Sequence, residues 1–532
     1  MWTRHVLQLT VAMGVILGTA TSARTQEVVA APEGVDVQTR GPVHEAYAEP
    51  TSAGTPPASI VVPKQPPPPV PEMPSEMRPE GDNTQWIPGY WSWDPDRNDF
   101  IWVSGFWRQP PPGRRWVPGY WMQAANGWQW VPGFWNAADQ QDVNYLQSPP
   151  APVEAGPSTP APDPNDSYVP GTWVPQAGQY LWRPGFWVTP QPGWVWVPAH
   201  YVWTPLGYVF VDGYWDYVPD NRGLLFAPVA FTRPLWTTPG WTYRPSYVVQ
   251  LGGLLSSLFV RPGAYSYYFG DYFGPTYANL GFQPWLNYGR NHYDPLFSYY
   301  RWHYRGNPGW STEMQRVYEG RANGTLPRPP RTFAQQRALT QGNTPGVNSL
   351  HMVAPVGEVK NVRLARMAPP QLAAHDAHAH AVRQIAAQRL ETERAAPAAQ
   401  RAPAPGNVAG RLRLAAPAAA PAVHVAPPAR PARHPEARAV QPVAPHVQPA
   451  APVHVQPHAP APVHPGAAPH AAPAPVVHAP SAPHPAAAVH LPPAHAQAAH
   501  LSAITQAAHH VAPHPAPPHP APHPANEKNP KR

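Results

Sequence analysis

The chain is 532 residues long, and its 84 prolines and 38 glycines exclude the three or four conventional globular domains that such a length otherwise implies. Only 13% of residues are charged, and the formal net charge of +7 belongs to the C-terminal region, where residues 331–532 hold 17 Lys/Arg against 6 Asp/Glu. With no cysteine, the sequence excludes disulfides, thiolate metal sites and lipid attachment through sulfur.

At the N-terminus, Met1 to His5 form a short positive segment, Val6 to Ala20 an apolar run, and Thr21-Ser22-Ala23 a small-residue cleavage site. This three-part pattern predicts a secretory signal peptide over 1–23 and export to the periplasm, the cell surface or the medium. The apolar run is shorter than the roughly 20 residues that span a bilayer, and Tyr247 to Val260 is interrupted by Gln250, Ser256 and Ser257. Neither predicts a transmembrane span, and 247–260 reads as buried core. Residues 24–83 read as a disordered, proline-rich linker containing the polyproline run Lys64 to Pro71.

A repeat follows. Its copies are 86–91, 102–107, 116–121 and 130–135, then 168–173, 182–187, 196–201 and 210–215. The best-formed read Trp-x-Pro-Gly-Tyr/Phe-Trp, the spacing is mostly 14 residues, and Ala199 departs from the pattern by replacing glycine. The expected fold is mainly β: an antiparallel meander of Trp-rich hairpins in two blocks, 84–136 and 167–218, joined by a linker at 137–166. Pro-Gly suits the centre of a type II turn, which would set Trp116 opposite Trp121 across a two-residue loop. Type II turns match strand twist poorly, so the alternative is a kink within a longer strand.

The candidate core or binding aromatics are Trp86, Trp91, Trp102, Trp107, Trp116, Trp121, Trp130, Trp135, Trp173, Trp182, Trp187, Trp196 and Trp215. Most are expected in the core. Those left outside it could stack on sugar rings, cage cationic groups or dock proline-rich segments.

Residues 219–330 read as a small aromatic α+β segment, with a helix over about 311–322 capped by Ser311. From 331 to 532 the chain reads as a low-complexity basic tail with an isolated helix over 371–395. Twenty of the 26 histidines lie at or after His375. His375, Asp376, His378 and His380, and later His514, His519 and His523, are the candidates for weak divalent-metal binding, and their protonation would turn the tail strongly cationic in acid. Anionic polymers are the other partner expected of the tail.

No catalytic or cofactor motif occurs, so the prediction is a non-enzyme without cofactor. Asp94, Asp96 and Asp99 read as turn residues, with a carboxylate pair or calcium site as the minority reading. Nucleic acid is disfavoured, because basic residues are not interleaved with the aromatics.

The Trp-x-x-Gly-x-Trp copies resemble the WXXGXW (YXWGXW) repeat family of exported bacterial proteins. The resemblance covers roughly residues 84–218. It implies envelope localisation and a non-enzymatic role, and transfers no catalytic residue. The functional expectation is an exported structural or interaction protein of the cell envelope, its repeats a binding or assembly module for cell-wall polysaccharide or an envelope protein. The alternatives are a dedicated glycan- or peptidoglycan-binding module and a secreted hydrolase with an unrecognised site.

Overall fold

The structure, a computed structural model, describes residues 32–341 apart from 52–54, 57 and 82, then 350–394 apart from 361, and 408–414. The expected signal peptide, residues 415–532, and with them His514, His519 and His523 lie outside the described residues. Among the described residues no helix is long and apolar enough to cross a membrane.

The fold is mainly β and made of many small antiparallel sheets. Consecutive repeat copies pair with each other on both sides of the Pro-Gly dipeptide. Trp86 lies opposite Trp107 and Trp91 opposite Trp102. The same register sets Trp116 against Trp135 and Trp121 against Trp130. Tyr168 then faces Trp187 and Trp173 faces Trp182, while Trp196 faces Trp215 and Tyr201 faces Phe210. Eight copies therefore make four units. In every unit the two facing pairs have ring centroids 5.1–5.6 Å apart, edge-on or tilted. Each such pair contributes about 0.5–1.5 kcal/mol beyond the area it buries.

This corrects the turn reading of Pro-Gly. None of the repeat glycines Gly89, Gly105, Gly119, Gly133, Gly171, Gly185 or Gly213 has positive φ, so no type II turn forms there, and Trp116 does not face Trp121. Pro-Gly is the kink. Proline has no N–H for a ladder, and both strands of a unit break at the same level. The chain reverses instead between copies, and in the third unit Ala177 and Gly178, with φ of 50° and 77°, supply the two left-handed residues of a type I′ turn.

The disordered-linker expectation for 24–83 also needs correction. Val35–Val37 pairs with Val229–Phe231, Gly41–Pro42 with Ser266–Phe269, and Val61–Val62 extends Gly127–Val131. Val43, Val62 and Val70 are 1%, 2% and 1% exposed. An extended proline-rich strand asks little of the ladder, and its valines fill space over the tryptophans.

Parts of the expected tail are folded as well. Val353–Pro355 pairs with Tyr247–Val249, and Val408–Arg413 pairs with Asp142–Leu146. The helix expected over 371–395 is present as Pro369–Arg394, but it is docked on the first two units rather than isolated.

In 219–330, the expected apolar run forms Tyr247–Val249, the helix Leu251–Ser256 and the strand Leu258–Arg261. The helix expected over about 311–322 is present as Trp310–Asn323, but Gly309 holds its N-cap position, so Ser311 lies inside it and does not cap it. The helix Pro295–His303 is capped by Asp294, whose carboxylate accepts from the Phe297 N–H at 2.8 Å. One hydrophobic cluster runs from Val35 through the repeats to Leu414, with two smaller clusters in the third and fourth units.

Candidate functional site

At each kink the ladder stops and the glycine N–H groups need another acceptor. Three of the four units solve this with one glutamate from a proline-rich segment elsewhere in the chain. In the first unit Glu72 accepts from the Gly89 N–H at 2.8 Å, the Gly105 N–H at 2.8 Å and the Trp102 Nε1–H at 2.9 Å. In the second, Glu45 accepts from the Gly133 N–H and the Trp130 Nε1–H, each at 3.1 Å. In the third, Glu154 accepts from the Gly171 N–H, from the Gly185 N–H at 3.1 Å and from the Tyr168 hydroxyl at 2.8 Å.

The three carboxylates come from related sequences: Pro42-Val43-His44-Glu45, Pro69-Val70-Pro71-Glu72 and Pro152-Val153-Glu154. Around each one, the indoles also hold the segment by its backbone. Trp91 Nε1 donates to Pro68 O, Trp135 Nε1 to Ala46 O, Trp173 Nε1 to Ala151 O and Trp187 Nε1 to Thr159 O, at 2.9–3.3 Å.

The repeat glycine is required by close approach. A Cβ on Gly105 would stand 2.5 Å from the Glu72 carboxylate, and one on Gly133 would stand 2.8 Å from that of Glu45. The fourth unit carries Ala199 at this position; its nearby glutamate, Glu49, lies 3.3 Å from His200 Nε2 instead of taking the kink glycine N–H. There Gly213 N–H is held at 2.9 Å by the neighbouring Asp212, which also pairs with Arg183 at 2.8 Å.

The opposite edge of the kink presents proline carbonyls, and these find buried cations or neutral donors. Arg389 donates to Pro118 O at 2.7 Å and Pro132 O at 3.0 Å. Its Nε donates at 2.8 Å to Glu393, which also accepts from the Tyr120 and Tyr145 hydroxyls. His44 Nε2 lies 3.1 Å from Pro88 O, and its Nδ1 accepts from the Ala46 N–H at 3.1 Å, which fixes the neutral tautomer.

Burial controls the charges here. It pushes the Glu45 carboxyl up to about 7 and raises that of Glu72, against the pull of the indole and N–H donors. Burial also depresses His44 to about 3.

No protein family, no curated protein and no solved structure matches this chain.

Of the thirteen predicted aromatics, Trp86, Trp91, Trp102, Trp107, Trp116, Trp135, Trp182, Trp196 and Trp215 are buried. Trp121, Trp130, Trp173 and Trp187 are half-buried, and their indole N–H groups are all engaged by the chain itself. The candidate metal residues do not converge: His375 packs edge-on against Trp107 at 4.8 Å, while His380 lies 3.7 Å from Asp376. Among the described residues no group of three potential ligands is poised for a metal ion. Asp94, Asp96 and Asp99 are ion-paired, to Arg40, to Arg40 and Arg331, and to Lys64.

Two clefts adjoin the kinks. One, of about 740 Å³, runs from Glu154, Tyr168 and Gly171 past Trp187 to Pro198, with Arg290, His292 and Arg301 also lining it. The other, of about 710 Å³, lies beside the fourth unit, with Trp196, Phe210 and Tyr214 among Asp139, Asp142, Asn144 and Gln176. Asp142 and Asp212 in this second cleft are paired to Arg411 and Arg183, so neither stands free as a general base.

Sequence reasoning found the aromatic scaffold and missed the glutamates. The signal was present in two places: the repeated Pro-Val-(x)-Glu pattern in the supposed linkers, and the loss of glycine at Ala199 alone among the eight copies.

Proposed function

We propose that the chain is a non-enzymatic, exported structural or interaction protein of the cell envelope, akin to the WXXGXW repeat proteins, in which each pair of repeats is a receptor for an extended proline-rich acidic segment. One observation carries this reading: three of four units close on a Pro-Val-(x)-Glu segment through kink glycine N–H donors, both glycines in the first and third units and Gly133 in the second. Three independent uses of one receptor within a chain mark a recognition module rather than an accident of packing. The donors are backbone groups fixed by the kink, so the module is preorganised and binding needs little rearrangement. The aromatics build that scaffold, and their indole N–H groups read the segment's carbonyls.

The test is a ligand panel against the intact protein. Retention on an immobilised peptide of sequence 64–74, lost when its glutamate is replaced by glutamine, is the expected result. Equal retention on both peptides would sink the carboxylate reading.

A glycan-binding role is the second reading. It draws on the cleft beside the fourth unit, where the half-buried Phe210 stands among carboxylates and amides suited to sugar faces and hydroxyls. Saturable quenching of Trp fluorescence by cell-wall polysaccharide, with no response to the peptide, would favour it over the first.

A further inference from the structure

The three occupied cradles are not equally closed. Glu45 and Glu72 are 3% and 2% exposed, and the valines that accompany them, Val43 and Val70, are each 1% exposed. Glu154 is only half-buried, and its companion Val153 is 62% exposed. Nearly every residue from Ala151 to Pro164 is exposed, so the segment is held by Glu154, the two indole bonds and a long bond from the Tyr168 hydroxyl to Gly156 O, with no apolar anchor. The donors of the cradle belong to the repeats themselves and do not depend on which polypeptide supplies the carboxylate. The 740 Å³ cleft opens directly from this cradle, and the exposed Arg290, His292 and Arg301 line it.

From this asymmetry we propose that the third cradle is an exchangeable binding site. Its ligand is an extended, proline-rich segment of another polypeptide carrying valine one or two residues before a glutamate, and residues 151–159 are the resident occupant that this ligand displaces. The inference rests on the receptor reading above and names the unit where the receptor is open. The better internal ligands show what an incoming segment gains: a buried valine beside the carboxylate, as at Val43 and Val70, where the resident Val153 is left in water. The basic residues along the cleft favour a partner with further acidic residues beyond the glutamate. Pattern alone does not suffice. Pro355-Val356-Gly357-Glu358 also matches, but Pro355 is paired in a strand with Tyr247 and Glu358 is exposed, so that copy enters no cradle. An accepted segment must be free to lie extended along the kink.

A resident segment competes intramolecularly and weakens any incoming ligand in proportion to its own effective concentration. The experiment therefore uses the full-length protein and a fluorescein-labelled peptide of sequence 64–74, read by anisotropy. Glu154→Ala should bind at least about tenfold tighter than the unmodified protein, because the competitor loses its carboxylate. Adding Tyr168→Phe, which removes one donor and keeps the ring, should weaken that binding several-fold, and a glutamine-substituted peptide should not bind. Equal affinity for the unmodified and Glu154→Ala proteins would overturn exchange at this cradle while leaving the receptor reading standing. Absence of binding in every variant would overturn both. A Glu154→Ala protein that dimerises and ignores peptide would assign the cradle to a second copy, against a foreign segment. Should Glu154→Ala lose its cooperative thermal transition, Glu154→Gln takes its place with the same expected direction.

Discussion

At the scale of single residues, the repeat glycine is an instrument of close approach rather than of unusual backbone conformation. A Cβ at Gly133 would come within 2.4 Å of the Trp116 ring, 2.7 Å of Val117 O and 2.8 Å of the Glu45 carboxylate, none of which can retreat without opening the kink. Gly133→Ala should therefore destabilise the protein by about 1–3 kcal/mol, the usual penalty for overpacking. The reverse change at the one unit whose kink glycine N–H is held by an aspartate and not by a glutamate, Ala199→Gly, should stay within about 1 kcal/mol, the ordinary backbone-entropy penalty. Chemical denaturation of the two variants checks the contrast, and equal losses would remove the role assigned to close approach at the kink.

Two adjacent residues carry opposite pH dependences. Glu45 titrates near 7 in the folded chain against an ordinary 4.5, so between those values the folded state keeps a proton that the unfolded state has lost. Its contribution is present below pH 4.5 and is lost as pH rises through 7, amounting to about 3 kcal/mol. His44 titrates near 3 against an ordinary 6.5, so the unfolded chain binds the extra proton. Its contribution is present above pH 6.5 and is lost as pH falls toward 3. Between pH 4.5 and 6.5 the two slopes oppose each other. The stability of the unmodified protein relative to Glu45→Gln should fall as pH rises from 4.5 to 7, whereas that relative to His44→Gln should rise from pH 3 to 6.5. Urea midpoints across this range measure both, and a pH-independent difference for either would refute the burial assigned to that group.

At the scale of elements, the Pro369–Arg394 helix shows why some of the fold could not be read from sequence. Its composition predicted a helix, and the helix is there. Its docking was hidden because the buried stripe, Ala379, Val382, Arg389 and Glu393, contains two charged residues where an amphipathic pattern would show leucine. The charges are buried because the kink of the second unit leaves proline carbonyls and tyrosine hydroxyls to be satisfied. Arg389→Met should cost about 3–5 kcal/mol, since it leaves Glu393 buried without its cation, and should release the helix. Hydrogen exchange should then accelerate across 369–394 before it does in the repeats. The double change Arg389→Met and Glu393→Leu should recover part of the loss, and no recovery would show that the proline carbonyls, not the stranded carboxylate, dominate.

The hairpins themselves were half legible. Aromatic periodicity located every unit, yet pairing within one copy and pairing between consecutive copies satisfy the same periodicity. Glycine at a kink and glycine at a turn look alike in sequence, and only the missing positive φ separates them.

For the whole molecule, the decisive point is that the proline-rich segments are components of the core. Composition marks 24–83 as unable to fold alone, which is a statement about its own apolar content and not about the aromatic surface awaiting it. Removing residues 24–83 would strip Glu45 and Glu72 from two units and leave the glycine N–H groups at those kinks without acceptors, each a penalty of about 1–3 kcal/mol if it stays buried. It would also uncover the surface that Val35, Val37, Val43, Val62 and Val70 now cover. A fragment of 84–330 should therefore fail to give the cooperative transition of the full chain, and should regain it when residues 24–83 are supplied as a separate peptide. Limited proteolysis of the intact protein should accordingly leave a resistant product that retains the strands Val35–Val37 and Val353–Pro355, wider than the repeat and aromatic segments alone. Cleavage that trims the chain to 84–330 without loss of Trp fluorescence would show that the proline-rich segments merely decorate the repeats, and the cradles would then be docking sites of low affinity rather than the joints that hold the four units together.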